Sequence, residues 1–387
     1  MQDDGPGTAV RRGGGGIVLS VDAMGGDRGP GAVVGGIESF LSRHPQARLL
    51  LHGPQEVLAP LLDGRPWAAQ VELRHASGVV SMQDKPGQVM RRGRDSSMWS
   101  AVESVREGEA QVCISCGNTG ALMAVSMLVL RKAQGVNRPA IACLWPSLNP
   151  GGYNLMLDAG ADIRADQDDL LAYALMGVAY ARIGLDIARP RVGLLNVGTE
   201  EHKGRAELKA AHDLIARAAG RDGFSYVGFV EGGHMPSETV DVVVTDGFTG
   251  NVALKTAEGT SHLIAHLLRE ALMGSFWGRL SALMGRGVLA RLRARIDPRS
   301  VNGGVFLGLN GTVIKSHGGS DATAIATALD LGWRLAEAGF ADALAQQIAQ
   351  AVTTGQDSAG QDSAGQDSAQ EPGADGSGAQ AAGTGEA

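Results

Sequence analysis

Four loops along this chain combine glycine with amide, hydroxyl, imidazole or ammonium side chains. They are residues 21–30 (VDAMGGDRGP), 115–124 (SCGNTGALMA), 196–207 (NVGTEEHKGRAE), and the pair 245–255 (TDGFTGNVALK) with 308–322 (GLNGTVIKSHGGSDA). Each stands where an apolar run gives way to a helical pattern. Glycine lets backbone N–H groups approach an anion closely, and the N-terminus of a following helix adds the positive end of its dipole. None of the loops is a G-x-G-x-x-G fingerprint or a Walker A loop, so a nucleotide has no motif here. The chemistry that these residue types suit is the holding of phosphate and of a developing oxyanion.

The lysines narrow this further. The chain contains 28 Arg but only six Lys, and Lys203, Lys255 and Lys315 fall in or beside these loops. A lysine is a compact point charge suited to a phosphate or an oxyanion, whereas arginine is a broad planar fork. Surface placement by chance is the alternative for each, Lys255 above all. His317, in KSHGG, is the histidine surrounded by anion-binding residue types; a purely structural histidine is its alternative. His212, His234 and His262 show no metal-ligand spacing, and no metal or cofactor is expected. The C-x-x-C at Cys113 and Cys116 reads as two small buried residues, because residues three apart in a strand face opposite sides of the sheet.

Elements that could position these loops are legible as short aliphatic runs at 17–21, 49–52, 112–115, 140–144, 153–157, 191–196 and 240–245, alternating with helical stretches. That rhythm implies an α/β fold with a mostly parallel sheet covered on both faces. Ligands in such sheets bind beyond the carboxyl ends of the strands. The expectation is therefore that the four loops gather at one rim. Residues 17–350 read as a single catalytic domain, 1–16 as a flexible lead, and 355–387, with its QDSAG repeats, as a disordered acidic tail.

Composition excludes several classes. Of the net charge of −7, the tail carries −6, so the body is nearly neutral. With aromatic content of only 4%, nothing points to nucleic acid. Three cysteines argue against a disulfide framework and fit a reducing cytosol. The N-terminus lacks the apolar core of a signal peptide, and a soluble cytoplasmic protein is expected. One segment, 271–299, carries six Arg and one acid, with Leu272, Phe276, Leu280, Leu283 and Leu289 at helical spacing beside Trp277. It reads either as a helix pair packed on the core or at a dimer interface, or as a basic amphipathic patch on an anionic membrane.

Several long stretches carry a resemblance to a known family. DAMGGDRGP, MQDKPGQVMRRGRDSSMWSAVESVREGEA, GNTGALMA, DGFTGNVALKTAEG and LGLNGTVIKSHGGSDA occur in order over residues 17–340. They are similar to the signatures of the bacterial phosphate acyltransferases, which convert acyl-[acyl carrier protein] and inorganic phosphate into acyl phosphate for phospholipid synthesis. The resemblance implies a three-layer α/β/α sandwich similar to the isocitrate and isopropylmalate dehydrogenases and to phosphate acetyltransferase. It also implies a homodimer and a peripheral contact with the inner face of the plasma membrane. Acyl phosphate would pass to a membrane glycerol-3-phosphate acyltransferase. The family's basic helical tip corresponds to 271–299, which makes Leu272, Phe276, Trp277 and Leu280 membrane-contact candidates. The chain departs from the family pattern at Ala161–Asp162–Ile163–Arg164 and at Arg205–Ala206.

The residues together suggest direct attack of phosphate on a thioester, with no covalent acyl-enzyme. Neither a G-x-S-x-G elbow nor a Cys–His pair is present to serve as nucleophile. Lys203, Lys315, His317 and Asn251 are the catalytic candidates. Asp22, Met24, Gly25, Gly26, Asp27, Asn118, Thr119, Gly120, Asp246, Gly250 and Ser316 are the substrate-binding candidates, with Asp22 and Asp27 expected to orient the loop. The open alternatives are an acyl-CoA donor and a non-catalytic sensor of acyl carrier protein or lipid.

Overall fold

The computed structural model describes residues 16–296 and 303–348. The expected lead before residue 16, the expected tail, and residues 297–299 of the basic segment lie outside the described residues. The chain begins β1 (Val18–Asp22), α1 (Gly29–Leu41), β2 (Arg48–Gly53), α2 (Gln55–Leu62), β3 (Val71–His75), α3 (Pro86–Arg92), α4 (Ser97–Arg106), β4 (Val112–Ser115) and α5 (Thr119–Val129). Then come β5 (Ala140–Pro146), β6 (Tyr153–Leu157), α6 (Gln167–Leu185), β7 (Arg191–Leu195), α7 (Ala206–Asp222), β8 (Ser225–Val230) and β9 (Val242–Val244). Three helices follow in succession, α8 (Gly247–Met273), α9 (Phe276–Met284) and α10 (Arg286–Ile296), before β10 (Gly304–Leu307), β11 (Thr312–Lys315) and α11 (Ala322–Glu337).

The strands form one mixed, mostly parallel sheet in the order β3-β2-β1-β4-β11-β10-β5-β6-β9-β7-β8. Strands such as β4 are buried on both faces, and alternate side chains enter different cores. Val112 and Ile114 pack with Val33, Ile37, Tyr173 and Leu329, drawn from α1, α6 and α11. Cys113 packs on the other face with Met98, Trp99, Leu122 and Ala121, drawn from α4 and α5. A period of two through a sheet with helices on both sides produces this separation. It also separates Cys113 from Cys116, which belongs to the first core, and both are free thiols.

Sheet direction corrects one expectation. β3, β2, β1, β4 and β11 are mutually parallel, as are β6, β9, β7 and β8. Between the blocks lie three antiparallel pairings: β11 with β10, β10 with β5, and β5 with β6. An odd number of reversals makes the second block run opposite to the first. Their carboxyl ends therefore lie at opposite edges of the sheet, so the four loops do not gather at one rim.

Four strands escaped the reading of the sequence. β10 and β11 are four residues each, β8 carries a glycine in an edge strand, and β3 alternates with charged residues. Several helices open on a side-chain cap. Ser96 accepts from the Trp99 N–H at 3.2 Å, Asn118 from Ala121 at 3.0 Å, Asp246 from Thr249 at 2.7 Å and Asp321 from Ala324 at 3.0 Å. Each cap satisfies an N–H that the helix itself leaves without a partner.

Candidate active site

At the carboxyl edge of the first block, β1, β4 and β11 end side by side, with Asp22 opposite Ser115 and Ser115 opposite Lys315. Asp22 is fully buried. Its carboxylate accepts hydrogen bonds from Ser97 Oγ (2.6 Å), Ser115 Oγ (2.6 Å) and the Met24 N–H (3.1 Å). Burial still raises its pKa above the ordinary value, against the pull of the two serines. Asp22 thus folds the 22–27 turn onto β4 and faces inward. Gly25 is required there, because a Cβ would lie 2.6 Å from both Asp22 Oδ2 and the Gly117 nitrogen.

The β1 and β11 loops are stitched together by the Asp27 N–H, which donates to the Gly318 carbonyl at 2.8 Å. Asn118 opens α5 and also donates from Nδ2 to the carbonyls of Met82 (2.9 Å) and Asp84 (3.0 Å). This ties the segment before α3 to the site. Pro86, the first residue of α3, sits 3.1 Å from the position of the Cβ that Gly120 lacks. Thr119 and Gly120 are exposed at the start of α5, where helical N–H groups point out of the helix.

Lys315 is the central cation. Its ammonium donates to the Ser316 carbonyl and, among the described residues, enters no ion pair. Desolvation lowers its pKa to about 8, helped by the like charge of Lys255, while Cys116, Asp22 and Asp27 pull the other way. Ser316 is buried and shares a 2.9 Å hydrogen bond with Ser320. His317 remains half exposed, with Nε2 3.5 Å from Glu258 Oε1. Partial desolvation pulls its pKa down, Glu258 pulls it up, and Lys255 and Lys315 push it down again. Glu258 also pairs with Lys255 at 2.7 Å. Both residues come from α8, which starts at the opposite edge of the sheet and reaches this one within about three turns.

The remaining candidates lie at that other edge. Gly250 packs directly on the backbone of Asp158, at the end of β6, and Asn251 faces Gly160. Asp246 caps α8 and pairs with Arg205. Lys203 is bound to Glu200 at 2.8 Å, which raises its pKa. The end of β7 stands five strand positions from β11, roughly 24 Å at ordinary inter-strand spacing. The structure thus brings Asp22, Met24, Gly25, Gly26, Asp27, Asn118, Thr119, Gly120, Lys315, Ser316 and His317 together. It leaves Lys203, Asp246, Gly250 and Asn251 with the second block, because the sheet reverses direction between them. The departure at Asp162 is structural here: its carboxylate pairs with Arg138 at 2.6 Å and accepts from Tyr173 Oη at 3.2 Å. Glu258, beside His317, was missed; within a helical stretch it looks like any solvated carboxylate.

No cysteine at the site is a ready nucleophile. Burial raises the pKa of Cys116 and Cys113, and that of Cys143 to about 12, so all three thiols stay protonated at neutral pH. Among the described residues, no group of three or more His, Cys, Asp or Glu could hold a metal ion.

Residues 17–343 match the model of a family described as fatty acid synthesis protein. A phosphate acyltransferase of Paracoccus denitrificans is 62% identical over 340 residues, covering 88% of this chain and 92% of that one. One from Rhodobacter capsulatus is 60% identical over 343 residues, 89% and 86% of the two chains. In fold, the chain is similar to a phosphotransacetylase from Streptococcus pyogenes, with a TM-score of 0.56 at 14% identity over 83% of this chain and 94% of that one. EutD phosphotransacetylase from Staphylococcus aureus gives 0.51 at 13% identity over 86% and 94%. The chain belongs to the fatty acid synthesis protein family in which these phosphate acyltransferases fall, and is an enzyme of the acyltransferase class.

Proposed function

We propose that the chain transfers a fatty acyl group from acyl-[acyl carrier protein] to inorganic phosphate, giving acyl phosphate for phospholipid synthesis. The observation that carries this reading is the half-enclosed Lys315 ammonium, unpaired among the described residues, between two glycine loops and the first turn of α5. An anion entering there meets N–H groups and an ammonium, and no carboxylate of the site must be displaced. The backbone at Gly25, Gly26, Thr119 and Gly120 cradles phosphate. Asn118 fixes the wall, and Ser316 and Met24 shape the loop ends. Asp22 and Asp27 hold the turn in place.

A phosphate oxygen attacks the thioester carbon, forming the C–O bond, and the tetrahedral oxyanion is held by Lys315. Collapse breaks the C–S bond, and the electron pair leaves with sulfur. The proton carried by the attacking phosphate passes through neutral His317, positioned by Glu258, to the departing thiolate. Phosphate is already a nucleophile at neutral pH, so positioning supplies most of the catalysis. Lys203 and Asn251 have no part in this scheme, since they stand at the other edge of the sheet.

The exposed Phe276, Trp277 and Leu280, with half-buried Leu272 and the exposed Arg279, Arg286 and Arg291, supply the contact with an anionic membrane surface. No described helix is long and apolar enough to cross a membrane. In this reading the enzyme works as a homodimer on the inner face of the plasma membrane. There it supplies a membrane glycerol-3-phosphate acyltransferase. Flotation with anionic and neutral vesicles tests the contact, and Trp277→Ala with Phe276→Ala should abolish it.

The activity itself is tested by incubating the protein with octanoyl-[acyl carrier protein] and phosphate and trapping octanoyl phosphate with hydroxylamine. Product from octanoyl-CoA alone would reassign the donor, and no product from either thioester would leave a sensor. An octanoyl group found on the protein after a quench without phosphate would overturn direct attack.

A further inference from the structure

We propose that the exposed basic face of α3 and its flanks, Lys85, Arg91, Arg92 and Arg94, is where an acidic carrier protein docks to deliver its thioester arm. This rests on the proposed carrier-dependent reaction and adds the surface it requires. Segment 77–96 carries these four cations against Asp84 and Asp95, a local charge of +2. All four side chains are exposed. Among the described residues, none of the four is paired with a carboxylate. Arg91 Nε donates to the Gly87 carbonyl at 3.1 Å, and the Arg94 guanidinium lies 5.7 Å from the centre of the Trp99 ring. Elsewhere in the molecule many surface arginines are neutralised, as in Arg65 with Glu38 and Arg106 with Glu103. Four cations without a carboxylate partner on one short segment leave a field that attracts an acidic partner.

The position of α3 gives that field a use. The segment before it forms a wall of the candidate site. Asn118 holds the carbonyls of Met82 and Asp84, Met82 Cε lies 2.9 Å from the position of the Cβ that Gly318 lacks, and Pro86 abuts Gly120. The helix then leads away from this wall, and its arginines fall in the last turn, roughly 10 Å along. Beneath them is a cavity of about 590 Å3 bordered by Val80, Asp84, Val89, Arg91, Arg92 and Ser96. Asp84 belongs to both regions: it borders the cavity, and its carbonyl accepts from Asn118. Exposed Val79, Met82 and Met90 add apolar contact around the charges. A carrier seated on the arginines would stand beside the site, close enough for a flexible arm to place its thioester at Lys315.

The test compares two donors in the variant Arg91→Glu/Arg92→Glu. One is octanoyl-[acyl carrier protein], the other octanoyl-pantetheine, which has the reacting thioester without the protein. The proposal expects kcat/KM for the carrier substrate to fall roughly ten- to a hundredfold. Most of the loss should lie in KM, the salt dependence should flatten, and octanoyl-pantetheine turnover should stay within about twofold. The second substrate also reports whether the variant is folded. Equal losses with both donors would overturn the proposal in favour of a structural role for α3. Unchanged rates with both would place the dock elsewhere. If the unaltered protein makes no octanoyl phosphate from either donor, the parent reading fails instead, and binding of the carrier to the unaltered and altered proteins would decide the surface by itself.

Discussion

The two edges of the sheet use the same residue types to opposite ends. Where β6, β9 and β7 finish, the cations have partners: Arg138 with Asp162, Arg205 with Asp246, and Lys203 with Glu200. There Asp158 is buried and accepts N–H groups from Ile141, Gly160, Ala161 and Asp162. Where β1, β4 and β11 finish, the buried carboxylate is held by hydroxyls and one N–H, and the nearby ammonium keeps no counter-charge. A lysine bound to a carboxylate is a structural tie. A desolvated lysine without one has its charge available for an anion. The comparison shows why loop composition alone could not rank the four loops.

Lys315→Ala gives the comparison its hardest test. Loss of one oxyanion donor should lower turnover by roughly 10²–10³. A near-normal rate would remove the first edge from the chemistry. The pH profile sharpens the same point. With the ammonium titrating at about 8, activity should decline as pH rises through that value, because deprotonation removes the positive donor. Lys315→Arg should abolish that alkaline limb, since arginine stays charged, even if its geometry lowers the rate. An unchanged limb would assign it to another group.

A smaller effect is expected at Gly25. Its missing Cβ faces Asp22 Oδ2 and the Gly117 nitrogen, so Gly25→Ala should cost about 1–3 kcal/mol of stability by overpacking. Denaturant unfolding measures this, and activity should fall with it because the β1 loop must move. Gly29→Ala makes a useful contrast: nothing lies near its Cβ position, so only its φ of +70° opposes the change. The smallest effect is expected from Lys203→Ala, within about tenfold of the original turnover, since its ammonium is tied to an exposed carboxylate. A loss equal to that of Lys315→Ala would mean that the second edge reaches the reacting atoms after all.

Much of this was readable from residue order. The aliphatic run before Asp22 and the one at 112–115 are the strands β1 and β4, and the glycines after them are the turns that the strands need. The loops holding Asn118 and Asp246 were expected to lead into helices, and these two residues cap the helices that follow. Asp22 was expected to orient its loop, and its three hydrogen bonds all point inward. Glu258 was invisible because its meaning comes from His317, 59 positions further along the chain and on another element. That Lys203 stands apart from Lys315 was not legible, because NVGTEEHKGRAE has the same local chemistry as the other loops.

Local sequence determined which segments are strands, which turns need glycine, where many helices begin, and to which family the chain belongs. Those features depend on a few neighbouring residues and their φ/ψ preferences. The tertiary structure alone decided which loops share an edge. That outcome depends on the three antiparallel pairings around β10 and β5, and strand direction is a property of pairing that no single segment encodes. For the same reason only the folded chain could show which lysine keeps a counter-ion and which does not.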